Sequence, residues 1–297
     1  MRIICAGEAM AELRQTETGF AVGFAGDTFN TAVYLRKLGH QTGYLTRIGQ
    51  DPMSDGFLAA AAGHGVDTSA IARDPARHLG LYAVRTDAAG ERSFSYWRES
   101  SAARLLFQHP AELTALARAD VLLMSGISLA ILSPAAREAV FARIADLRGR
   151  GLRFAFDSNH RPRLWESAET ARRVMERAFR LADIALPSVD DEIALWGDAD
   201  AGAVLTRLRG WGCLQGALKC GAAGPLPLDP QAPLPQGLRP ALRVVDTTAA
   251  GDSFNAGWLS AHLAGRATAL QEGHALAAHV VGQPGAIVDL TGFHPLA

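Results

Sequence analysis

The feature that most constrains the fold of this chain is a regular alternation of short apolar runs with longer amphipathic stretches. The runs have the length of buried strands, and the stretches between them carry apolar residues at helical spacing. This alternation predicts an α/β fold with a mostly parallel sheet and helices on both of its faces. The predicted strands span 3–7, 43–48, 121–125, 153–157, 184–187 and 216–219, and the predicted helices 28–38, 134–147, 168–181 and 199–208.

Two segments, 11–26 and 79–99, break this rhythm with short alternating patterns and turn residues. Residues 87–91 (Asp-Ala-Ala-Gly-Glu) suit a hairpin turn between strands at 81–85 and 92–97. Since antiparallel hairpins do not fit inside a parallel sheet, we predict a small β lid inserted into a single domain that spans 1–297. An ordinary surface hairpin is the simpler alternative.

Composition excludes several classes of function. The net charge of −1 gives no basic field for nucleic acid or anionic lipid, and no apolar run reaches the roughly 18 residues of a membrane-spanning helix. The three cysteines lack C-x-x-C and zinc-site spacing, which favours reduced, buried thiols in a cytoplasmic protein. The first residues are typical of a strand and too short in their apolar part for a signal peptide.

Motifs of other enzyme classes are absent from the sequence. There is no G-x-x-x-x-G-K-[ST], no G-x-G-x-x-G after the first strand and no H-E-x-x-H. Residues 126–130 (Gly-Ile-Ser-Leu-Ala) nearly match the nucleophile elbow G-x-S-x-G of serine hydrolases but lack its last glycine. A nucleotide would therefore not be held by a P-loop, and a serine hydrolase is disfavoured.

The stretch 245–257 (VDTTAAGDSFNAG) joins a turn of small residues to an aspartate and an apolar helical pattern. Small residues let the main chain approach a ligand, and the N–H groups at a helix start favour phosphate oxygens. Asp252 lies where a carboxylate would take the proton of an attacking hydroxyl. Ordinary helix capping explains the same pattern, so the residues alone leave both interpretations open.

This stretch resembles the D-T-x-G-A-G-D signature of the ribokinase-like (PfkB) carbohydrate kinases, in which the last Asp is the catalytic base. The resemblance implies a ribokinase-like three-layer α/β/α sandwich with a mostly parallel central sheet and a small β-sheet lid. It also implies that the N–H groups of Ala250, Gly251 and Asp252 stabilise the transferred phosphoryl group, with Ala249 in the same turn. The family usually has glycine where this chain has Ala249. We expect alanine to avoid a positive φ, and the turn to differ slightly.

The resemblance covers nearly the whole chain. Residues 26–30 (Gly-Asp-Thr-Phe-Asn) open the first predicted helix as the family's substrate motif does, with Ala25 in place of its first glycine. Segments 90–98, 125–134, 156–165 and 190–197 are similar to the family's 2-keto-3-deoxygluconate kinases. The resemblance thus implies ATP-dependent phosphorylation of the 6-hydroxyl of that sugar acid. The substrate-binding residues it implies are Gly26, Asp27, Asn30, Tyr82, Tyr96, Arg98, Ile127 and Arg161.

Two arginines suit such a substrate, because a guanidinium fork matches a carboxylate. A charge-assisted hydrogen bond contributes roughly 1.5–3 kcal/mol, enough to separate a sugar acid from a neutral ketose. The simpler alternatives are solvated surface charges for Arg98 and Arg161, and cross-strand packing for Tyr82 and Tyr96.

The same resemblance implies an ATP site and a Mg²⁺ ion held through water near Asp191. Many relatives have Asn-x-x-Glu where this chain has Ser188 and Asp191, and tyrosine is frequent at the position of His160. The residues implied for ATP are Asn159, Ser188, Lys219, Gly221 and Gly224.

Two other functions remain open, a fructokinase- or ribokinase-type kinase and a non-catalytic sugar or nucleotide sensor. An exposed lid edge also predicts a homodimer or a higher homo-oligomer formed through the lid.

Overall fold

A computed structural model describes residues 1–86 and 92–294. Within them the strands are β1 (Arg2–Ala6), β2 (Met10–Thr16), β3 (Gly19–Ala25), β4 (Gln41–Ile48), β5 (Asp67–Arg73), β6 (Gly80–Thr86), β7 (Arg92–Trp97), β8 (Val121–Ser125), β9 (Arg153–Asp157), β10 (Ile184–Ala185), β11 (Ala217–Leu218) and β12 (Leu226–Pro227). The helices are α1 (Asp27–Lys37), α2 (Pro52–Gly63), α3 (Pro110–Ala115), α4 (Gly126–Ala130), α5 (Pro134–Arg148), α6 (Ala168–Leu181), α7 (Val189–Trp196), α8 (Ala201–Gly210), α9 (Ala250–Leu263) and α10 (Ala269–Val281).

The larger sheet has six strands in the order β10-β9-β8-β1-β4-β5, and every neighbouring pair is parallel. Five of its strands were predicted from apolar runs. The edge strand β5 was not, because Asp67–Arg73 is only partly buried and carries no continuous apolar run. The predicted strand at 216–219 differs, since β11 pairs with β12. Among the described residues, isolated bridges connect Gly216 to Ala185 of β10 and Lys219 to Ser188 after it.

Helices cover both faces of the larger sheet, which confirms the predicted three-layer α/β/α sandwich. Successive strand residues point to opposite faces, and β1 shows the consequence. Ile3 and Cys5 belong to one hydrophobic core with residues of α1 and α9, whereas Ile4 and Ala6 belong to a second core with residues of α5 and α6. The strand's near-continuous apolar sequence is what a strand covered on both faces requires.

The two segments that break the rhythm form a separate small sheet in the order β3-β2-β6-β7. The pairs β2–β3 and β6–β7 are antiparallel, as predicted for hairpins, and a parallel β2–β6 pair joins them. The predicted turn at 87–91 lies outside the described residues. By register, Tyr82 and Tyr96 share one face of this sheet, and Val22 and Trp97 lie on the other.

The cysteines and the helices agree with the expectations from composition. Cys5 and Cys213 are buried, Cys220 is partly buried, and all three are free thiols. Burial raises the pKa of the Cys213 thiol to about 12, which makes it unreactive at neutral pH. Among the helices described, none combines the length and the apolar character needed to cross a bilayer.

Candidate active site

A cleft of about 1000 Å³ lies at the carboxyl ends of the larger sheet's strands and is also lined by the small sheet. Ligands of open parallel sheets bind at this edge. The cleft brings together every residue that sequence analysis assigned to substrate or catalysis, and most of those assigned to ATP and metal. These are Gly26, Asp27, Asn30, Tyr82, Tyr96, Arg98, Ile127, Asn159, Arg161, Ser188, Asp191, Lys219, Gly221, Ala249, Ala250, Gly251 and Asp252.

Gly224 is the assigned residue that the structure does not bring to the cleft. It follows a short 3₁₀ turn at Gly221–Ala223 and has a φ of 87°. A Cβ at this position would come within 2.5 Å of the Leu238 side chain. The backbone turn and the packing against Leu238 are enough to explain glycine here.

Asp252 lies in the first turn of α9 and is held by α1. The Asn30 side-chain amide donates to one carboxylate oxygen at 2.8 Å, and the Thr31 hydroxyl donates to the Asp252 carbonyl at 3.1 Å. The two helices pack against each other. Residues far apart in sequence thus fix the Asp252 carboxyl group at the wall of the cleft.

The environment of Asp252 suits a general base. Burial raises the pKa of Asp252 to about 8, and the nearby charge of Asp27 acts in the same direction. The hydrogen bond from Asn30 and the ammonium group of Lys219 oppose this rise in pKa. A carboxyl group with a perturbed pKa in a cleft is a frequent mark of an active site. In the free protein, the carboxylate form of Asp252 is gained as the pH rises toward 8.

The turn before α9 is strained at Ala249. The expectation that alanine would avoid a positive φ is wrong, because Ala249 has φ 62° and ψ 16°. This left-handed conformation costs an alanine roughly 1–2 kcal/mol. Strain of this kind is characteristic of functional loops.

The strained turn decides which N–H groups face a ligand. Ala250 N–H donates to the Thr247 carbonyl at 3.2 Å, and Ser253 N–H to the Ala249 carbonyl at 2.8 Å. Within the described residues, the hydrogen bonds leave the N–H groups of Gly251 and Asp252 at the helix start for a ligand. Of the three N–H groups implied for phosphate binding, the one on Ala250 is thus engaged within the turn.

Lys219, which was assigned to ATP, belongs to a polar cluster whose other two members, Asp157 and Asn255, sequence analysis did not assign. The Lys219 ammonium group is 2.7 Å from Asp157 Oδ2 and 3.1 Å from Asn255 Oδ1, and the Asn255 amide donates to the same Asp157 oxygen at 2.5 Å. Two signals were available in the sequence. Asp157 ends a predicted strand at the ligand-binding edge, and Asn255 follows Asp252 by three residues on the same helix face.

Two pairs of residues connect parts of the site that were assigned separately. The Asn159 amide, assigned to ATP, donates at 2.6 Å to Asp27, which was assigned to the sugar. Arg161 Nη1, assigned to the sugar, lies 3.2 Å from Asp191 Oδ1, assigned to the metal. Burial raises the pKa of Asp191, and the charge of Arg161 opposes the rise. Residues assigned to the sugar are therefore in direct contact with residues assigned to ATP and to the metal.

The small sheet contributes buried polar pairs that sequence analysis also missed. The Tyr82 hydroxyl donates to Glu12, and Arg98 forms an ion pair with Glu8. The rings of Tyr82 and Tyr96 are tilted by 32° to each other with centroids 5.8 Å apart, and the Arg98 guanidinium lies 5.9 Å from the centre of the Tyr96 ring. These acidic partners come from β2 and from the residues after β1, and no local pattern in the sequence reveals them.

Comparisons with known proteins agree with this geometry. The model of the pfkB family carbohydrate kinases matches residues 2–291. The 2-dehydro-3-deoxygluconokinase of Escherichia coli K12 is 39% identical over 97% of both chains, and that of Dickeya dadantii is 40% identical over 96% of both. The structure of Vibrio cholerae fructokinase with fructose, ADP and a calcium ion is 25% identical, with a TM-score of 0.81 over 96% of this chain and 94% of that one. The chain belongs to the pfkB family of carbohydrate kinases.

Proposed function

We propose that this protein is the kinase that transfers the terminal phosphoryl group of ATP to the 6-hydroxyl of 2-keto-3-deoxygluconate, also named 2-dehydro-3-deoxygluconate. The observation that carries the proposal is the position of Asp252 beside the unbonded N–H group of Gly251 in a cleft that Arg98 and Arg161 also line. The names of the two bacterial relatives support the choice of a sugar acid.

The chemistry follows from this arrangement. The Asp252 carboxylate accepts the proton of the 6-hydroxyl while that oxygen attacks the terminal phosphorus. The bond between this phosphorus and the bridging oxygen breaks, and ADP leaves with the bonding electrons. The N–H groups of Gly251 and Asp252 stabilise negative charge on the transferred group. The products are 2-keto-3-deoxy-6-phosphogluconate and ADP.

The nucleotide half of the cleft fits ATP with Mg²⁺. A Cβ on Gly251 would come within 3.5 Å of the Lys219 ammonium group, so glycine leaves room beside a positive charge. Mg²⁺ at kinase sites is held mainly by phosphate oxygens and water, with one or two carboxylates. Asp191 is the carboxylate we assign to it. When bound, Mg²⁺ neutralises charge on the phosphates.

We propose that the small sheet is the lid of this active site within a single domain. Tyr82, Phe94 and Tyr96 line the cleft from one face of that sheet. Aromatic side chains over a bound sugar exclude water, which prevents transfer of the phosphoryl group to water in place of the sugar.

A panel of phosphoryl acceptors tests the proposed function. ADP formation is measured with 2-keto-3-deoxygluconate, its galactose-derived epimer, gluconate, fructose and ribose. We expect the highest kcat/KM with a 2-keto-3-deoxy sugar acid. A higher kcat/KM with fructose or ribose would identify a fructokinase- or ribokinase-type enzyme. Tight sugar binding without ADP formation would identify a sensor.

We further propose a homodimer through the lid, in a cytoplasm whose reducing conditions suit free thiols. Phe20, Val22 and Trp97 share the lid face opposite to the tyrosines and are 60%, 49% and 59% exposed. Both β3 and β7 are edge strands of their sheet. A second copy of the same apolar face is the simplest cover for this surface.

Light scattering tests the dimer. We expect the mass of two chains for the wild type and of one chain for Trp97→Glu, because a charge on the apolar face opposes its burial. Leu214→Glu, an apolar position outside the lid that is 52% exposed, is the matched control and should stay dimeric. A monomeric wild type would contradict the proposal.

A further inference from the structure

Glu8 is a buried carboxylate that the proposed mechanism does not use. It lies just after β1, at the edge of the larger sheet where the cleft opens, and is 1% exposed. One of its oxygens accepts from Arg98 Nη2, and the other accepts from the Ser101 hydroxyl at 2.5 Å. A buried charge is stable only when it is paired and hydrogen-bonded, and Glu8 meets both conditions.

Two glycines pack closely against Glu8. A Cβ on Gly80, at the start of β6, would lie 2.8 Å from Glu8 Oε1. A Cβ on Gly26 would overlap the Glu8 carbonyl oxygen. Glu8 therefore lies where the core sheet, the start of α1 and the lid strands meet, and a larger residue at either glycine would move it.

Glu8 holds Arg98 in place but does not pair with all of its hydrogen-bond donors. Arg98 is 7% exposed and lines the cleft. In the described part of the chain its Nε–H has no hydrogen-bond partner. A buried donor without an acceptor is unfavourable, and an acceptor supplied by a ligand removes that cost. The Glu8 ion pair thus fixes the guanidinium and leaves donor capacity for a substrate.

The charges around the cleft make this positioning important for a sugar acid. Asp27, Asp157 and Asp191 line the cleft beside Asp252, and ionised carboxylates repel an anionic substrate. Lys219 is already paired with Asp157 and Arg161 with Asp191. Recognition of a substrate carboxylate then depends on a guanidinium that cannot turn toward these acids.

We propose that Glu8 is a positioning residue that sets the preference for a sugar acid over a neutral sugar by holding Arg98. The inference rests on the proposed function, since it assumes a substrate that carries a carboxylate. Glu8 does not touch the reacting atoms. Its removal acts on the binding of the acid and leaves the phosphoryl-transfer step unchanged.

The test is Glu8→Gln, which keeps the shape of the side chain and removes its charge. We expect KM for 2-keto-3-deoxygluconate to rise at least about tenfold, because the ion pair that orients Arg98 is lost and the guanidinium can turn away from the substrate carboxylate, each 1.4 kcal/mol of lost binding being a factor of about ten. KM for ATP should stay within about twofold of the wild-type value. The kcat/KM for fructose should stay unchanged, so the ratio of acid to neutral turnover falls.

The matched control is Glu112→Gln. Glu112 is 4% exposed and pairs with the buried Arg47, with Oε1 2.6 Å from Arg47 Nη2, and neither residue lines the cleft. This variant loses a buried ion pair of the same kind, so Tm should fall while the ratio of acid to neutral turnover stays at the wild-type value. Equal ratios in the two variants would overturn the positioning role and leave Glu8 as a structural residue.

Two further arms keep the outcome decisive. If Glu8→Gln does not fold, Glu8→Asp keeps the charge but shortens the side chain, and KM for the acid should again rise without a change in KM for ATP. An unchanged KM for the acid in Glu8→Asp would overturn the proposal. The wild type is measured in parallel. A wild type that rejects the acid overturns the proposed function and this inference together, whereas a wild type that prefers the acid isolates the result for Glu8.

Discussion

Replacing Asp252 with asparagine should lower kcat by about 10²–10⁴-fold, the usual cost of losing a general base. Asparagine has nearly the same volume, and its amide oxygen still accepts the hydrogen bond that Asn30 donates at 2.8 Å. We therefore expect the dissociation constants for sugar and ATP to change less than about threefold. Steady-state kinetics and calorimetric titration of each ligand measure the two quantities separately.

Asp55→Asn is a suitable control for this substitution. Asp55 is an exposed residue of α2, pairs with Arg73 and does not line the cleft. It undergoes the same chemical change, and kcat should remain within about twofold of the wild-type value. Near-normal kcat in Asp252→Asn would contradict the assignment of Asp252 as the general base. A loss of ligand binding would show that the substitution disturbs the structure of the site.

The pH dependence gives a second measure of the same role. Burial and the charge of Asp27 raise the pKa of Asp252 to about 8, and only the carboxylate can accept a proton. The kcat/KM of the wild type should therefore rise by up to tenfold per pH unit below about pH 8 and level off above it. The residual activity of Asp252→Asn should lack this rise.

The same pKa predicts a cost in stability. Asp252 binds a proton more tightly in the folded protein than in the unfolded chain, where the pKa is near 3.8. Its contribution to the free energy of unfolding is therefore fully present below about pH 4 and is lost as the pH rises through about 8. Asp252→Asn should be more stable than the wild type at pH 8 and above. A catalytic carboxylate kept at the expense of stability is a frequent compromise in enzymes.

How much the sequence reveals depends on the range of the interactions involved. Asp252, Gly251 and the first turn of α9 are adjacent in sequence, so a local pattern of small residues and an aspartate was enough to locate them. The strands of the larger sheet were also found from local apolar runs. The edge strand β5 gave no such signal, because one of its sides has no neighbouring strand and its residues are only partly buried.

The partners of the site residues were beyond the reach of sequence analysis. Asn30 meets Asp252 across 222 positions, and Glu8 meets Arg98 across 90. Such contacts follow from the order of strands in the two sheets, and short stretches of sequence do not predict that order. The conformation of Ala249 was mispredicted for a related reason, since a strained φ persists only where the surrounding structure holds it, and that surrounding structure is not visible in the local sequence.

Replacing Arg98 with alanine should raise KM for the sugar acid by about 10- to 150-fold, equivalent to the roughly 1.5–3 kcal/mol of a hydrogen bond to a charged group. The kcat/KM for a neutral ketose should fall far less, because that substrate has no carboxylate at this position. Kinetics with 2-keto-3-deoxygluconate and fructose measure both. Equal losses on the two sugars would contradict the role of Arg98 in carboxylate binding.

The experiment with Arg98→Ala must account for Glu8, which loses its ion-pair partner. Arg98→Ala leaves Glu8 as an uncompensated buried charge, and breaking a buried ion pair from one side costs about 3–5 kcal/mol of stability. The double variant Glu8→Gln/Arg98→Ala removes that charge. Its Tm should recover toward the wild-type value, whereas KM for the sugar acid should remain as high as in Arg98→Ala, because stability and acid recognition depend on different parts of the pair.

Arg161→Ala completes the comparison. The Arg161 side chain is 53% exposed and its ion pair with Asp191 is open to solvent on one side, so its field is screened more strongly than that of the buried Arg98. We expect KM for the sugar acid to rise less than about tenfold. If Arg161→Ala instead raises KM more than Arg98→Ala does, the substrate carboxylate binds at the nucleotide side of the cleft, and the assignment of the two arginines must be exchanged.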